Sequence, residues 1–203
     1  MSFTKLKSDL VTALSSNPSG SGASVDMQKH ANDFSDAVDN YVKTLNDPGL
    51  RKVLSTTKVL IYSQIISLLT LTDLGSSSLN SSQSALKYAT GLNSYISAIQ
   101  ISKANVNNLV SPAYINPGIV STATLTNNNI IIDLQDSFKN IFNATTDSNS
   151  IVSIIITNKA SQIADIVKDA VIQKTLITIS GNDSTPTPLG PKPFTLSGKF
   201  VET

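Results

Sequence analysis

Apolar side chains recur at helical spacing in six separate runs along this chain. The first is Phe3, Leu6, Leu10, Val11 and Leu14, with Ser2 where an N-cap would satisfy the first free amides. Asn17-Pro18-Ser19-Gly20-Ser21-Gly22 breaks it, as a linker or exposed loop. A second helix is predicted from about Asp26, with Phe34, Ala37, Val38, Tyr41, Val42 and Leu45 on one stripe. Lys29, Asp33, Asp36, Asp39 and Lys43 fall mostly on the opposite face, and Asn46-Asp47-Pro48-Gly49 stops the pattern. From Leu50, the positions Val53, Leu54, Leu60, Ile61, Ile65, Leu68 and Leu69 predict a third helix, apolar on more than one face between Val59 and Leu74. Ser63, Gln64, Ser67, Thr70 and Thr72 interrupt it too often for a membrane span of about 20 apolar residues, so a buried central helix is expected. Leu86, Ala89, Leu92, Ile96 and Ile99 define a fourth helix with Tyr88 and Tyr95 on its flank.

Residues 104–129 lose this period. Asn, Pro and Gly interrupt short apolar pieces, which predicts an irregular crossover with room for a small hairpin at Asn116-Pro117-Gly118. Helical spacing returns with Ile130, Ile131, Leu134, Phe138, Ile141 and Phe142. The stretch from Val152 to Val171 then places Val152, Ile155, Ile156, Ile163, Ile166, Val167, Ala170 and Val171 at intervals of three, four and seven. It predicts one helix of about seven turns, with its apolar start buried. The charged residues from Lys159 onward exclude a membrane span.

After Lys174 the period changes from helical to two. Leu176, Thr178 and Ser180 alternate with Ile177 and Ile179, and Gly181-Asn182-Asp183 makes a turn. Four prolines in the nine residues 185–193 preclude regular structure. Residues 194–201 alternate again and are placed to pair with 175–180. The expected fold is therefore mainly α, a helical bundle with a small C-terminal β element and an extended tail. Residues 1–24 form an N-terminal helix and flexible linker, 25–174 the helical body, and 175–203 the β element or arm.

Composition sharpens this picture. Charged residues make up 14% of the chain, against about 25% in ordinary globular domains. Ser, Thr and Asn supply about a third, Glu202 is the only glutamate and Arg51 the only arginine. Such a hydroxyl- and amide-rich surface suits a protein packed among neighbours, and a low-GC genome's residue bias produces it equally well. The formal charge of +1, without a basic tract, gives no electrostatic footprint for nucleic acid. No cysteine is present, so disulfides, thiolate catalysis and zinc–thiolate clusters are excluded. The first residues carry Lys5, Lys7 and Asp9 and no apolar core, unlike a secretory signal.

Chemistry-bearing residues are sparse. His30 is the single histidine, with Asp26 and Asp33 within one helical turn, but no motif presents a nucleophile to it and the ligand set for a metal is incomplete. The pairs Asp133/Asp136 and Asp165/Asp169 read as solvated helix faces rather than paired catalytic carboxylates. Gly20-Ser21-Gly22 lacks the strand and lysine of a phosphate-binding loop. The five tyrosines are scattered over different elements and form no stacking platform. These readings predict a protein that is not an enzyme, with no catalytic, cofactor-binding or metal residues, and no cofactor.

Two segments carry a resemblance. In residues 27–45, Ala31, Phe34, Ala37, Val38, Tyr41 and Val42 follow the form A-x-x-F-x-x-A-[IV]-x-x-Y-[IV]. In residues 163–203 a helix runs into a Thr/Ile-rich strand, a Gly/Pro-rich loop and a last strand, with Gly181, Gly190, Gly198 and Phe200-Val201 at the corresponding places. This texture resembles small virion structural proteins of large tailed bacteriophages, over about a third of the chain. The chain departs from that pattern in having few alanines between Ile163 and Val171 and proline where glycine is expected.

The resemblance implies a non-enzymatic part of a head, neck, tail or baseplate, located in the virion, whose partners are other virion proteins and copies of itself. Nucleic acid, membrane and small-molecule substrates are not expected partners. The candidate interaction segment is Leu176, Ile177, Ile179, Phe194, Leu196, Phe200 and Val201. Residues 1–24 form a second candidate arm, and deletion of residues 182–203 is expected to leave a folded body. The alternative is a soluble helical binding module or surface protein without catalysis.

Overall fold

The computed structural model describes residues 2–15, 23–46, 53–73, 81–101, 119–127, 130–144, 152–182 and 193–202. Six helices lie among them: α1 (Phe3–Ser15), α2 (Ala23–Val42), α3 (Val59–Asp73), α4 (Ser81–Ser97), α5 (Ile131–Asn143) and α6 (Val152–Lys168). Each packs on the next in chain order, and α6 closes back onto α1. Two small antiparallel sheets complete the description. One pairs β1 (Val53–Ser55) with β2 (Gln100–Ile101); the other orders β3 (Ile119–Asn127), β4 (Thr175–Asn182) and β5 (Pro193–Gly198) with β4 in the middle. The chain is thus mainly helical with a small β element that includes its C-terminal strands.

Helix α1 begins as its capping residue predicts. The Ser2 carbonyl accepts from the amides of Lys5 and Leu6, and its hydroxyl lies 3.4 Å from the Lys5 amide. Leu6, Leu10 and Ala13 are fully buried against α2 and α6, so α1 belongs to the body and is not an arm. The linker expected after it lies outside the described residues.

Helix α2 is covered on most of its circumference, by Ala31, Phe34, Ala37, Val38, Tyr41 and Val42 and by the polar His30, Ser35 and Asp39. Asp39 was expected on the solvent face, yet it is 3% exposed. A helix enclosed on several sides buries part of its polar face as well, and such a group requires partners.

Three further expectations are corrected. Val53–Ser55 is strand, paired with the end of the α4 segment, so α3 starts only at Val59, six residues later than the run of apolar positions suggested. Helix α3 is also less enclosed than a central helix: Ile61, Ile65 and Leu68 are buried while Val59 is 55% exposed. In α4 the inward stripe is Ala85, Tyr88, Ala89, Leu92, Tyr95 and Ile96, and Leu86 points outward. The tyrosines take the core side because their hydroxyls meet acceptors there.

Helix α5 matches its expected stripe, with Ile130, Leu134, Phe138 and Ile141 buried. Helix α6 does not bury its apolar start, since Val152 and Ile154 are 67% and 52% exposed; burial begins at Ala160. It ends in a π turn (Asp169–Gln173) whose wider winding carries the three consecutive residues Ala170, Val171 and Ile172 into the core. The Lys174 amide closes that turn on the Asp169 carbonyl, and the buried Thr175 hydroxyl donates to the Ala170 carbonyl at 2.8 Å. Both contacts occupy carbonyls that the helix end would leave unpaired. The chain then becomes strand at Thr175, as the change of period predicts.

The stretch read as an irregular crossover contains the nine-residue β3, and residues 102–118 lie outside the described ones. Alternating Thr and apolar residues after Gly118 were a strand signal masked by the Pro and Gly around them.

Gly91 sets the α3–α4 approach. A Cβ there would stand 3.1 Å from the Ile61 Cα, with the Gln64 Cβ at 3.3 Å. Gly91→Val is therefore expected to lower stability by about 1–3 kcal/mol, measured by urea denaturation. An unchanged midpoint would show that the two helices separate freely.

Candidate functional site

The sheet brings the expected interaction residues together, but not on one surface. Strand β4 is central: on one side Ala123, Thr124 and Leu125 of β3 stand opposite Ile179, Thr178 and Ile177. On the other, β5 places Leu196 opposite Ile179 and Phe194 opposite Gly181. The two C-terminal strands therefore pair within the chain. Ile177 is fully buried and Phe200 is 1% exposed, so these two belong to the protein's own core. Leu176 and Val201 are 41% and 42% exposed and remain open to contact. Ile179, Phe194 and Leu196 are described through their backbone pairing.

The tail beyond β5 docks on the body. Val201 and Asn46 exchange two backbone hydrogen bonds, of 2.8 and 3.1 Å, joining the chain's end to the segment after α2. The carboxylate of Glu202 accepts from the Tyr41 hydroxyl at 2.6 Å and from the Lys168 ammonium at 2.8 Å. Lys168 and Lys7 both also stand 4.6 Å from the centre of the Phe3 ring. Burial raises the Glu202 pKa, but the hydrogen bonds from Lys168 and Tyr41 outweigh it and hold the group below its usual range. Residues 199–202 are consequently a latch from α2 to α6 and not a free arm, and deletion of 182–203 would open the core at Phe200.

The polar groups missed by pattern lie between α2 and α4. His30 Nδ1 is 2.8 Å from the Ala13 carbonyl and Nε2 is 2.5 Å from the Tyr88 hydroxyl. A carbonyl accepts only, so Nδ1 carries the proton, and Tyr88 donates to Nε2. Burial holds the imidazole pKa below 6.5, against smaller upward pulls from the Ala13 hydrogen bond and Asp33. Further along, the Tyr95 hydroxyl donates to Asp39 at 3.0 Å, and Lys43 pairs with the same carboxylate at 2.6 Å. Burial pushes both phenols far above their ordinary range, and Asp39 adds to this at Tyr95, so both stay protonated donors. Two tyrosines seven residues apart and a lone histidine were the only available signal in sequence.

These hydrogen bonds tie the helices together. Asp33 pairs with Lys29, Asp165 with Lys7, and Asp133 and Asp169 both face Lys174. Among the described residues no group of three or more His, Cys, Asp or Glu is arranged to hold a metal ion. Among them, too, no helix is long and apolar enough to cross a membrane.

What the arrangement offers instead is an edge. No further strand pairs with the outer side of β3 or β5 among the described residues. Strand β5 opens with Pro193, which has no amide to donate to a further strand. Strand β3 carries no charge and no proline, and after a register irregularity between Val120 and Thr122 it runs evenly to Asn127. The chain matches no protein-family model, no curated protein sequence and no solved structure.

Four outcomes are expected. Phe200→Ala should lower stability by about 3–5 kcal/mol in chemical denaturation, whereas a dispensable tail would leave it unchanged. The unfolded chain takes up a proton at His30 near pH 6.5 that the folded one resists, so stability is full above that pH and declines below it. Tyr88→Phe should cost about 1–3 kcal/mol at neutral pH by leaving Nε2 without its donor, and His30→Phe should flatten the decline in stability between pH 7 and 5.

Proposed function

We propose that this protein is a structural subunit of a viral particle, without catalysis, that binds neighbouring subunits by adding their strands to its sheet. The observation that carries this reading is the outer edge of β3, uncharged, proline-free and evenly registered over Thr122–Asn127. Free proteins guard such edges with charges, prolines or a covering element, because unpaired amides and carbonyls recruit any strand that reaches them. A subunit completed by its neighbours has no need of that protection, and main-chain hydrogen bonds then supply affinity at the edge. The resemblance of residues 27–45 and 163–203 to phage virion proteins, and a surface poor in charge, support the same reading.

Successive residues of an antiparallel edge strand point their main-chain groups alternately inward and outward. Of Ala123→Pro and Thr124→Pro, one must therefore break the ladder to β4 and the other only the free edge. The first should lower stability sharply. The second should keep the wild-type melting curve and fail to enter particles, scored by mass spectrometry of purified virions. Normal incorporation of the stable variant, or absence of the protein from particles, would refute the reading.

A further inference from the structure

All six helices meet around one cavity of about 280 Å³. Leu14, Met27, Leu68, Phe142 and Ile163 make its wall apolar, each from a different helix. Four polar residues share the lining: His30 and Tyr88, which hydrogen-bond each other, and Ser84 and Lys159. No Asp or Glu is among the described lining residues, and Lys159 makes no ion pair among them.

Protein interiors leave few voids larger than a water molecule. An apolar cavity of about 150 Å³ admits benzene; this one is nearly twice that size. Binding sites for small molecules combine a mostly apolar wall with a few placed polar groups, the composition found here. Among the described lining residues the charge is one-sided: Lys159 is present and no carboxylate is. His30 is held neutral by burial and its Nε2 is occupied by Tyr88, so the positive charge belongs to Lys159. A buried apolar body combined with one anionic head is the matching ligand chemistry.

The geometry points to a binding site for a small amphipathic carboxylate, a short fatty acid or aryl alkanoate, with its hydrocarbon among the helix ends and its head on Lys159. This site is independent of the sheet edge and stands or falls apart from the assembly role. Its occupant would fill the space that the six helices leave between them and tie α6 to α2 and α4.

The test is a titration of the full-length protein with octanoate, followed by the methyl resonance of Met27 in a methionine-methyl-labelled sample. Saturable one-to-one binding with a Met27 shift is expected. Lys159→Gln should weaken octanoate about tenfold, the loss of one charge-assisted hydrogen bond, while leaving octanol binding unchanged. Ser84→Trp, which fills the rim, should abolish binding of both without altering the circular dichroism. Absence of a Met27 shift up to solubility-limited octanoate overturns the site. Equal octanoate affinity in Lys159→Gln and wild type overturns the carboxylate.

Discussion

The organisation of this protein depends on one requirement: the His30 imidazole and the Tyr88 hydroxyl are buried, and each of their polar atoms must find a partner. Only one assignment satisfies all of them, with Nδ1–H given to the Ala13 carbonyl and Nε2 receiving the tyrosine proton. That chain of contacts ties the end of α1 to α2 and α2 to α4. Around it the Tyr88 ring packs edge-on to Phe34 at 5.0 Å and against Phe138 and Phe142 at 5.6 and 5.2 Å, which brings in α5. A slip of α4 by one residue would cost the hydrogen bond and the aromatic contacts together. Apolar packing alone is less discriminating, because hydrophobic residues of similar volume exchange at small cost.

The second pair, Tyr95 with Asp39, repeats the device two turns further along α4 and fixes the relative direction of α2 and α4 as parallel. Charge is scarce in this chain, and the few ion pairs at the surface contribute little each. Specificity therefore rests on neutral and charge-assisted hydrogen bonds in the interior. Glu202 is an instructive exception. The chain's one glutamate meets a phenol and an ammonium on α2 and α6, helices that chain order keeps apart. With Phe200 buried beside it and Val201 bridged to Asn46, the last residues close the ring of helices from outside.

The helices were legible because amphipathic periodicity is a local property. The stripes of α1, α2 and α5, the capping serine and the change of period at Lys174 all follow from neighbours within a few residues. What could not be read depends on distant partners. Asp39 sits where charge was assigned to solvent, because Tyr95 arrives from 56 residues away. Tyr88 and Tyr95 displace Leu86 from the inner face of α4 for the same reason. Strand β3 was hidden since its pairing partner, β4, lies about fifty residues further on and nothing local marks the register. The candidate segment was divided by tertiary structure: Ile177 and Phe200 have the same alternating pattern as Leu176 and Val201 but are consumed by the core.

That division bears on where a neighbour can bind. An arm must be free to leave its own body, and leaving exposes what it buried. The tail fails on this count, since Phe200 and the Glu202 contacts would have to be undone before residues 199–202 reached another chain. The outer edge of β3 loses nothing of this kind on pairing. Its inner ladder to β4 runs evenly from Thr122 to Asn127, and on the proposed reading a partner strand would pair with its outer main-chain groups, a directional contact of the kind that strand addition supplies. On the proposed reading, docking at β3 and latching by the tail are complementary: β3 and β5 hold β4 in the middle of the sheet, the tail stays on its own body, and the even register after Thr122 is what a neighbour would match.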